Sequence, residues 1–367
     1  MKIAIILPCL GGGGAERLHV SLANYWATLG HKVEFILMKK KGELVPLVLP
    51  EVSIYDLKAD RIRNILFPLV SRLKKIEADI TLTAMWPLTS ISTIAWYLSG
   101  KSGGLFLSEH NHLSVSTGKG TALHAFFLKA TIRVTYPLAT GIIAVSKGVK
   151  NDLCDIGNIS KDRIRVIYNP AATGIICQDI TKKKKNELWA CKRDYNILSV
   201  GSLSDQKDHK VLIKSFALVS KEINANLIIL GKGPLKKALM ELIAQLNLQD
   251  KVHMPGFFLD PSPWFCSADL FVSTSKWEGF GNVIVESLEC GTPVVSTDCL
   301  SGPSEILDNG RFGRLVPVGD EVLIAEAIVE SCKEMHDKNK LMDRAKEFSV
   351  QKISTEYLDY FSKENVE

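Results

Sequence analysis

The chain has no Cys-x-x-Cys pair, no Asp-x-Asp, no low-complexity tract and no aromatic residues interleaved with its basic ones. Each absence removes a reading. Eight cysteines scattered from Cys9 to Cys332 argue against a disulfide framework and a structural zinc site, and they suit a reducing, cytoplasmic compartment. Without aromatic interleaving, nucleic acid is not an expected partner. No apolar run looks able to span a bilayer. The uncharged stretch 80–100 is interrupted by Pro87 and by Thr and Ser between Thr83 and Thr93, so it reads as a strand, a loop and a helix. The start MKIAIILPCLGGGG has a short apolar run whose glycines lead straight into a helical pattern, which favours a buried first strand over a signal peptide.

What remains is a chain of 367 residues, 46% hydrophobic and 23% charged, a globular composition long enough for two domains. Its net charge of +5 is uneven: residues 1–170 hold 21 Lys+Arg against 12 Asp+Glu, and residues 171–367 hold 24 against 28. The basic first half suits a phosphorylated ligand or an anionic leaflet.

Hydrophobic period alternates between strand and helix. Ile3 to Pro8 is a continuous apolar run, and the following helix carries Leu18, Leu22, Trp26 and Leu29 at helical spacing until Gly30. With the β-rich run from Lys32 to Met38 this makes a βαβ unit, hence a parallel sheet. Strands near Ile80, Leu105 and Gly141 and a helix from about Thr121 to Tyr136 continue it. The pattern breaks from Tyr168 to Lys192, where KKKKNE at 182–187 reads as an exposed connection. It restarts with strands at Tyr195 to Val200, Asn226 to Leu230, and near Leu270 and Val294. Helices are expected at His209 to Val219, Pro234 to Leu246 and Ser349 to Ser362. The expected domains are 1–170 and 171–348, with a helix at 349–367 packing back on the first.

Two segments carry chemistry. CLGGGGAER at 9–17 joins a strand to a helix, where Gly13 and Gly14 let backbone amides approach a phosphate or sugar and Glu16 sits in the first helical turn. The dinucleotide fingerprint G-x-G-x-x-G fails here, because Glu16 or Arg17 occupies the last glycine position. Lys39 replaces the acidic ribose ligand at the end of the second strand, although a basic residue there would suit a 2′-phosphate. KWEGFGNVIVESLECGTPVV at 276–295 places Glu278 on a loop and Glu286 about one turn into a helix. Unpaired amides of that helix's first turn, near Asn282, face outward at its positive end, where a diphosphate fits. Glu286 can accept from a ribose diol. His110, in SEHN at a strand end with Glu109, Asn111 and His112, suits a cleft; His110 and His112 lack a third metal ligand at recognisable spacing.

These landmarks together resemble glycosyltransferase family 4, retaining enzymes of the GT-B fold: GGGGAER at 11–17, SEHN at 108–111, AVSKGVKNDL at 144–153, VIYNP at 166–170, VGSLSDQKDHKVLIKSFA at 200–217, LIILGKGPLKKAL at 227–239, EGFGNVIVES at 278–287, GTPVVSTD at 291–298 and GPSEIL at 302–307. The resemblance spans nearly the whole chain. It implies two Rossmann-like α/β domains with a cleft between them. It implies that Glu278 contacts the donor sugar, Glu286 the ribose, and His110 the sugar's surroundings, with the amides of Phe280, Gly281, Asn282 and Val283 near the diphosphate, while Lys207 neutralises the leaving group. Where the family usually has an arginine after the glycine of V-G-R-L, this chain has Ser202, so phosphate binding must rest on Lys207, the helix end and a neighbouring basic residue.

The implied activity is retaining transfer of a hexose or N-acetylhexosamine from a nucleotide-sugar, by preference a UDP-sugar, to a glycan or polyprenyl-diphosphate-linked acceptor in surface polysaccharide or glycoprotein glycan assembly, with no cofactor and no metal. A GT-B sugar-nucleotide epimerase and a catalytically silent sugar-nucleotide-binding protein stay open as alternatives. The segment RIRNILFPLVSRLKKI at 61–76, with five basic residues and no acid, could rest on an anionic membrane, which would put the protein at the cytoplasmic face of the inner membrane.

Overall fold

The computed structural model describes residues 1–116, 121–174, 177, 188–189 and 193–364. The basic connection expected at 182–187 lies outside the described residues. The chain divides into two compact units, Met1–Pro170 with Val350–Glu367, and Ala171–Ser349.

In the first unit the strands are β1 (Lys2–Leu7), β2 (Lys32–Leu37), β3 (Ser53–Asp56), β4 (Ile80–Ala84), β5 (Gly104–Glu109), β6 (Gly141–Ala144) and β7 (Ile164–Val166). Helices α1 (Gly14–Thr28), α2 (Leu66–Ile76), α3 (Leu88–Ser99), α4 (Leu113–Ser116), α5 (Ala122–Thr135) and α6 (Lys147–Gly157) connect them. The sheet order is β3-β2-β1-β4-β5-β6-β7, and every pairing is parallel. Ile3, Ile5 and Leu7 are fully buried because β1 is covered on both faces, which is why it reads as an unbroken apolar run.

The second unit repeats the plan. Strands β8 (Tyr195–Val200), β9 (Ala225–Leu230), β10 (Val252–Gly256), β11 (Leu270–Ser273), β12 (Val294–Thr297) and β13 (Arg314–Val316) form a parallel sheet in the order β10-β9-β8-β11-β12-β13. Its helices are α7 (His209–Glu222), α8 (Lys236–Gln245), α9 (Ser262–Ser267), α10 (Asn282–Glu289), α11 (Pro303–Ile306), α12 (Glu321–Lys333) and α13 (Lys338–Lys346). Both sheets therefore reverse direction beside their first strand, between β1 and β4 and between β8 and β11. Loops at the carboxyl ends of such strand pairs form the crevice in which open α/β sheets bind ligands.

The last helix, α14 (Val350–Glu364), belongs to the first unit. Its Tyr357 and Phe361 meet the Trp26 ring edge-on at 6.1 and 5.9 Å, and Trp26 Nε1 donates to Ser354 Oγ at 2.9 Å. All three rings are fully buried, so α14 completes this core.

Two expectations are corrected. The cysteines are not all unpaired: Cys177 and Cys266 form a disulfide across 89 residues, and Cys290 joins them. Short-spacing arguments miss side chains that the fold brings together from distant parts of the chain. The apolar side chains of 61–76 are not offered outward either. Ile65, Leu69, Leu73 and Ile76 are buried, and among the large apolar side chains of α2 only Phe67 is exposed. Among the described residues no helix is long and apolar enough to cross a membrane.

Candidate functional site

In the second unit the site begins at the loops after β8 and β11. Gln206 Nε2 donates to the Trp277 carbonyl at 3.0 Å, Lys276 N to the Gln206 carbonyl at 2.8 Å, and Thr274 Oγ1 to the Lys207 carbonyl at 3.0 Å. These bonds bring Lys207 and Glu278 together as an ion pair, with side chains 18% and 7% exposed. Ser275 Oγ donates to the same carboxylate oxygen at 2.6 Å. A part-buried pair of this kind is held by its geometry, and removing one partner leaves a poorly solvated, uncompensated charge. Lys276 is occupied elsewhere, by Asp205 at 2.9 Å and Asp208 at 3.4 Å. Beneath the loop, burial and then the Lys207 charge hold the His209 imidazole down to about 4, so it is neutral.

Glu278 is followed by the entry to α10. Gly281 caps the helix at φ +106°, a conformation that costs a side chain dearly. The Phe280 ring packs on Phe348 with centroids 5.4 Å apart. A Cβ on Gly302 would collide with the Phe280 carbonyl, so only glycine lets that backbone approach. The loop is thus fixed while Asn282 and Val283 stay half-buried at the first turn, with Glu286 one turn on. Ser202 is exposed, its Oγ 3.0 Å from Ser204 Oγ. Gly231 and Gly233 press against the backbone of Gly201 and Leu203, and Leu203 N donates to the Lys232 carbonyl at 3.0 Å, which brings Lys232 beside the Ser202 loop.

In the first unit, Gly13 is the extended N-cap of α1, and Gly13 and Gly14 are exposed at its start. A Cβ on Gly13 would run into the Glu16 carboxylate, which folds back over the glycines. Burial raises the Glu16 carboxyl above its usual value. His110, at the end of β5, lies 5.1 Å edge-on from the His19 ring, and its Nε2 is 2.9 Å from Ser108 Oγ. Burial first and His19 second hold His110 well below its ordinary value, and burial holds His19 down to about 4. Both rings are neutral imidazoles, able to donate and accept without bringing a charge.

Glu109, next to His110, faces inward and is 1% exposed. It accepts from the Tyr136 hydroxyl, from Thr89 Oγ1 at 3.0 Å and from Trp86 N at 3.2 Å. Burial pushes its carboxyl up to about 7. His112 turns to Asp152 at 3.2 Å and Ser114, and Lys39 pairs with Asp60. Neither shares in the arrangement around His110. His19 and Ser275 were missed by sequence reasoning. His19 sits three positions after Glu16 on the buried side of α1, a spacing that in hindsight puts it one turn from the glycine loop; Ser275 has no distinguishing signal.

Residues 12–173 match the family described as Glycosyltransferase Family 4, and residues 180–348 match Glycosyl transferases group 1. The chain is 31% identical to N-acetylgalactosamine-N,N'-diacetylbacillosaminyl-diphospho-undecaprenol 4-alpha-N-acetylgalactosaminyltransferase of Campylobacter jejuni, over 98% of this chain and 99% of that one. It is 24% identical to N-acetyl-alpha-D-glucosaminyl L-malate synthase of Bacillus anthracis, over 97% and 96%. Among solved structures, HepE of Anabaena in complex with UDP and glucose is similar with a TM-score of 0.80 and 22% identity, covering 99% of this chain and 100% of that one. Sucrose-phosphate synthase of Thermosynechococcus elongatus reaches 0.79 at 18% identity, covering 99% and 98%.

Proposed function

The chain belongs to glycosyltransferase family 4 with the GT-B pair of Rossmann-like units, and from that premise we propose that it transfers a hexose or N-acetylhexosamine from a UDP-sugar to a glycan or polyprenyl-diphosphate-linked glycan, with retention and without a metal ion in the transfer step. The observation that carries this reading is the part-buried Lys207–Glu278 pair on the loop that leads into α10. In sugar transfer the bond from the anomeric carbon to the diphosphate oxygen breaks. Positive charge gathers on the sugar ring and negative charge on the departing UDP. Lys207 and the amides of Gly281, Asn282 and Val283 are suited to the negative charge, and Glu278 to hydroxyls of the sugar. Glu286 is suited to the ribose. The acceptor oxygen attacks from the side the diphosphate leaves, and a diphosphate oxygen takes the acceptor's proton.

UDP as carrier is supported by the UDP found with the Anabaena structure, and the lipid-linked acceptor by the diphospho-undecaprenol in the Campylobacter relative's name. Contact with a membrane surface is supported by α5, where Leu123, Phe126 and Phe127 are 63%, 66% and 53% exposed near Lys129 and Arg133. Apolar side chains flanked by cations suit an anionic bilayer surface.

The test is UDP release from a panel of UDP-sugars with bacterial lipid extract, in EDTA, comparing the native chain with Glu278→Gln. Acceptor-dependent release that survives EDTA and falls by about 10²-fold or more in the variant is expected. Conversion of a UDP-sugar to its epimer without acceptor and without net UDP release would favour the epimerase, and no turnover of any UDP-, GDP- or ADP-sugar would favour the silent binding protein.

A further inference from the structure

Three cysteines far apart in the sequence meet in the second unit, away from the donor loops. Cys177 lies in the segment entering this unit, Cys266 in α9, and Cys290 caps α10. Their sulfurs all lie within 4.8 Å of one another. Cys266 Sγ is 3.5 Å from Cys290 Sγ, and Cys177 Sγ is 4.0 Å from the Cys290 carbonyl oxygen. The Cα atoms of Cys177 and Cys266 are 5.6 Å apart. A tetrahedral metal with bonds of about 2.3 Å to sulfur holds its thiolates roughly 3.8 Å apart, so the three side chains already converge on the dimensions of a thiolate cradle. The disulfide uses two of these sulfurs and leaves the third in contact.

We propose that, when the Cys177–Cys266 disulfide is reduced, Cys177, Cys266 and Cys290 bind one thiophilic d¹⁰ cation, zinc being the natural occupant. A dithiol reductant opens the bond. The Cys177–Cys266 S–S bond breaks, the dithiol gives up two electrons and two protons to form its own disulfide, and both cysteines become thiols. The cation then displaces the three thiol protons to solvent and forms three metal–sulfur bonds. The Glu289 carboxylate, on the residue before Cys290, accepts from the amides of Thr173 and Gly174 at 3.1 and 2.7 Å, which holds the incoming segment against the end of α10. A bound ion would therefore fasten the incoming segment and α9 to the end of α10, the helix whose first turn serves the donor.

The test uses the whole chain, reduced with dithiothreitol, freed of it without air, and titrated with Cd²⁺. Expected are a sulfur-to-cadmium charge-transfer absorption that saturates at one equivalent and protection of Cys177 and Cys266 from iodoacetamide, mapped by peptide mass spectrometry. Both should be lost in Cys290→Ser and kept in Cys332→Ser. Absence of the absorption while both cysteines alkylate freely would overturn the proposal and leave a simple disulfide. So would an absorption unchanged in Cys290→Ser. The alkylation map of the native chain decides the matter even if Cys290→Ser fails to fold.

Discussion

Lys207 and Glu278 are 71 positions apart in the chain, yet they share a part-buried contact. Ser202 stands in the same loop where the family usually has an arginine, and the structure supplies a specific neighbour for it. Lys232 is held beside that loop by the close glycine packing of Gly231 and Gly233, and its Nζ lies 4.7 Å from the centre of the Phe257 ring. A cation over a ring face can swing to a stronger partner when an anion arrives. Lys232→Ala should therefore raise KM for the UDP-sugar roughly tenfold, the worth of one charge-assisted hydrogen bond, with little change in kcat. Adding Ser202→Arg to that variant should restore KM. Steady-state kinetics with varied donor reads both, and an unmoved KM in Lys232→Ala would assign the phosphate contacts to Lys207 and α10 alone.

At the scale of elements, α2 and α5 exchange the roles that sequence pattern suggests. The stripe Ile65, Leu69, Leu73 and Ile76 is apolar because it is buried on a helix packed against α3, while Lys74 and Lys75 face water and Arg72 pairs with Glu34. The exposed apolar surface belongs to α5, whose Leu128, Ile132 and Thr135 already satisfy the core. Phe126 and Phe127 are surplus to that packing. Replacing both by Ser should lower binding to phosphatidylglycerol vesicles roughly tenfold or more, since each phenylalanine buried in lipid is worth about 2 kcal/mol. Cosedimentation measures it, and unchanged binding would remove α5 as the contact. Strands β3, β7, β10 and β13 escaped sequence reading for a related reason. They are short edge strands of mixed burial, with no continuous apolar run to announce them.

Across the whole molecule, buried titrating groups make stability depend on pH in two opposite ways. His19 and His209 are each held near 4 in the folded chain, against an ordinary 6.5. Their contribution is complete above about pH 6.5 and is lost as pH falls toward 4. Glu109 is raised to about 7 from an ordinary 4.5. The stability it confers is complete below pH 4.5 and is lost as pH rises through 7. Comparison with Glu109→Gln isolates the second effect. The stability of the native chain relative to that variant should fall between pH 4.5 and 7 by on the order of 3 kcal/mol, read from urea unfolding at each pH. A difference that stays flat would show that Glu109 ionises in the folded chain at its ordinary value.

The sequence by itself determined the alternation of strands and helices, the parallel sheets and the motif that carries Glu278 and Glu286. Each of these is written in local periodicity or in a contiguous motif: a strand buried on both faces must be apolar throughout, and the loop entering α10 needs Gly281 at its positive φ. Only the tertiary structure decided which residues meet. The pairing of Lys207 with Glu278, the His19–His110 contact, the seating of Lys232 by Ser202, the three-cysteine cluster and the outward face of α5 all depend on loops from distant strands converging at one sheet edge or one helix end. Such convergence leaves no spacing in the chain, because sheet order, and not sequence order, sets which side chains are neighbours.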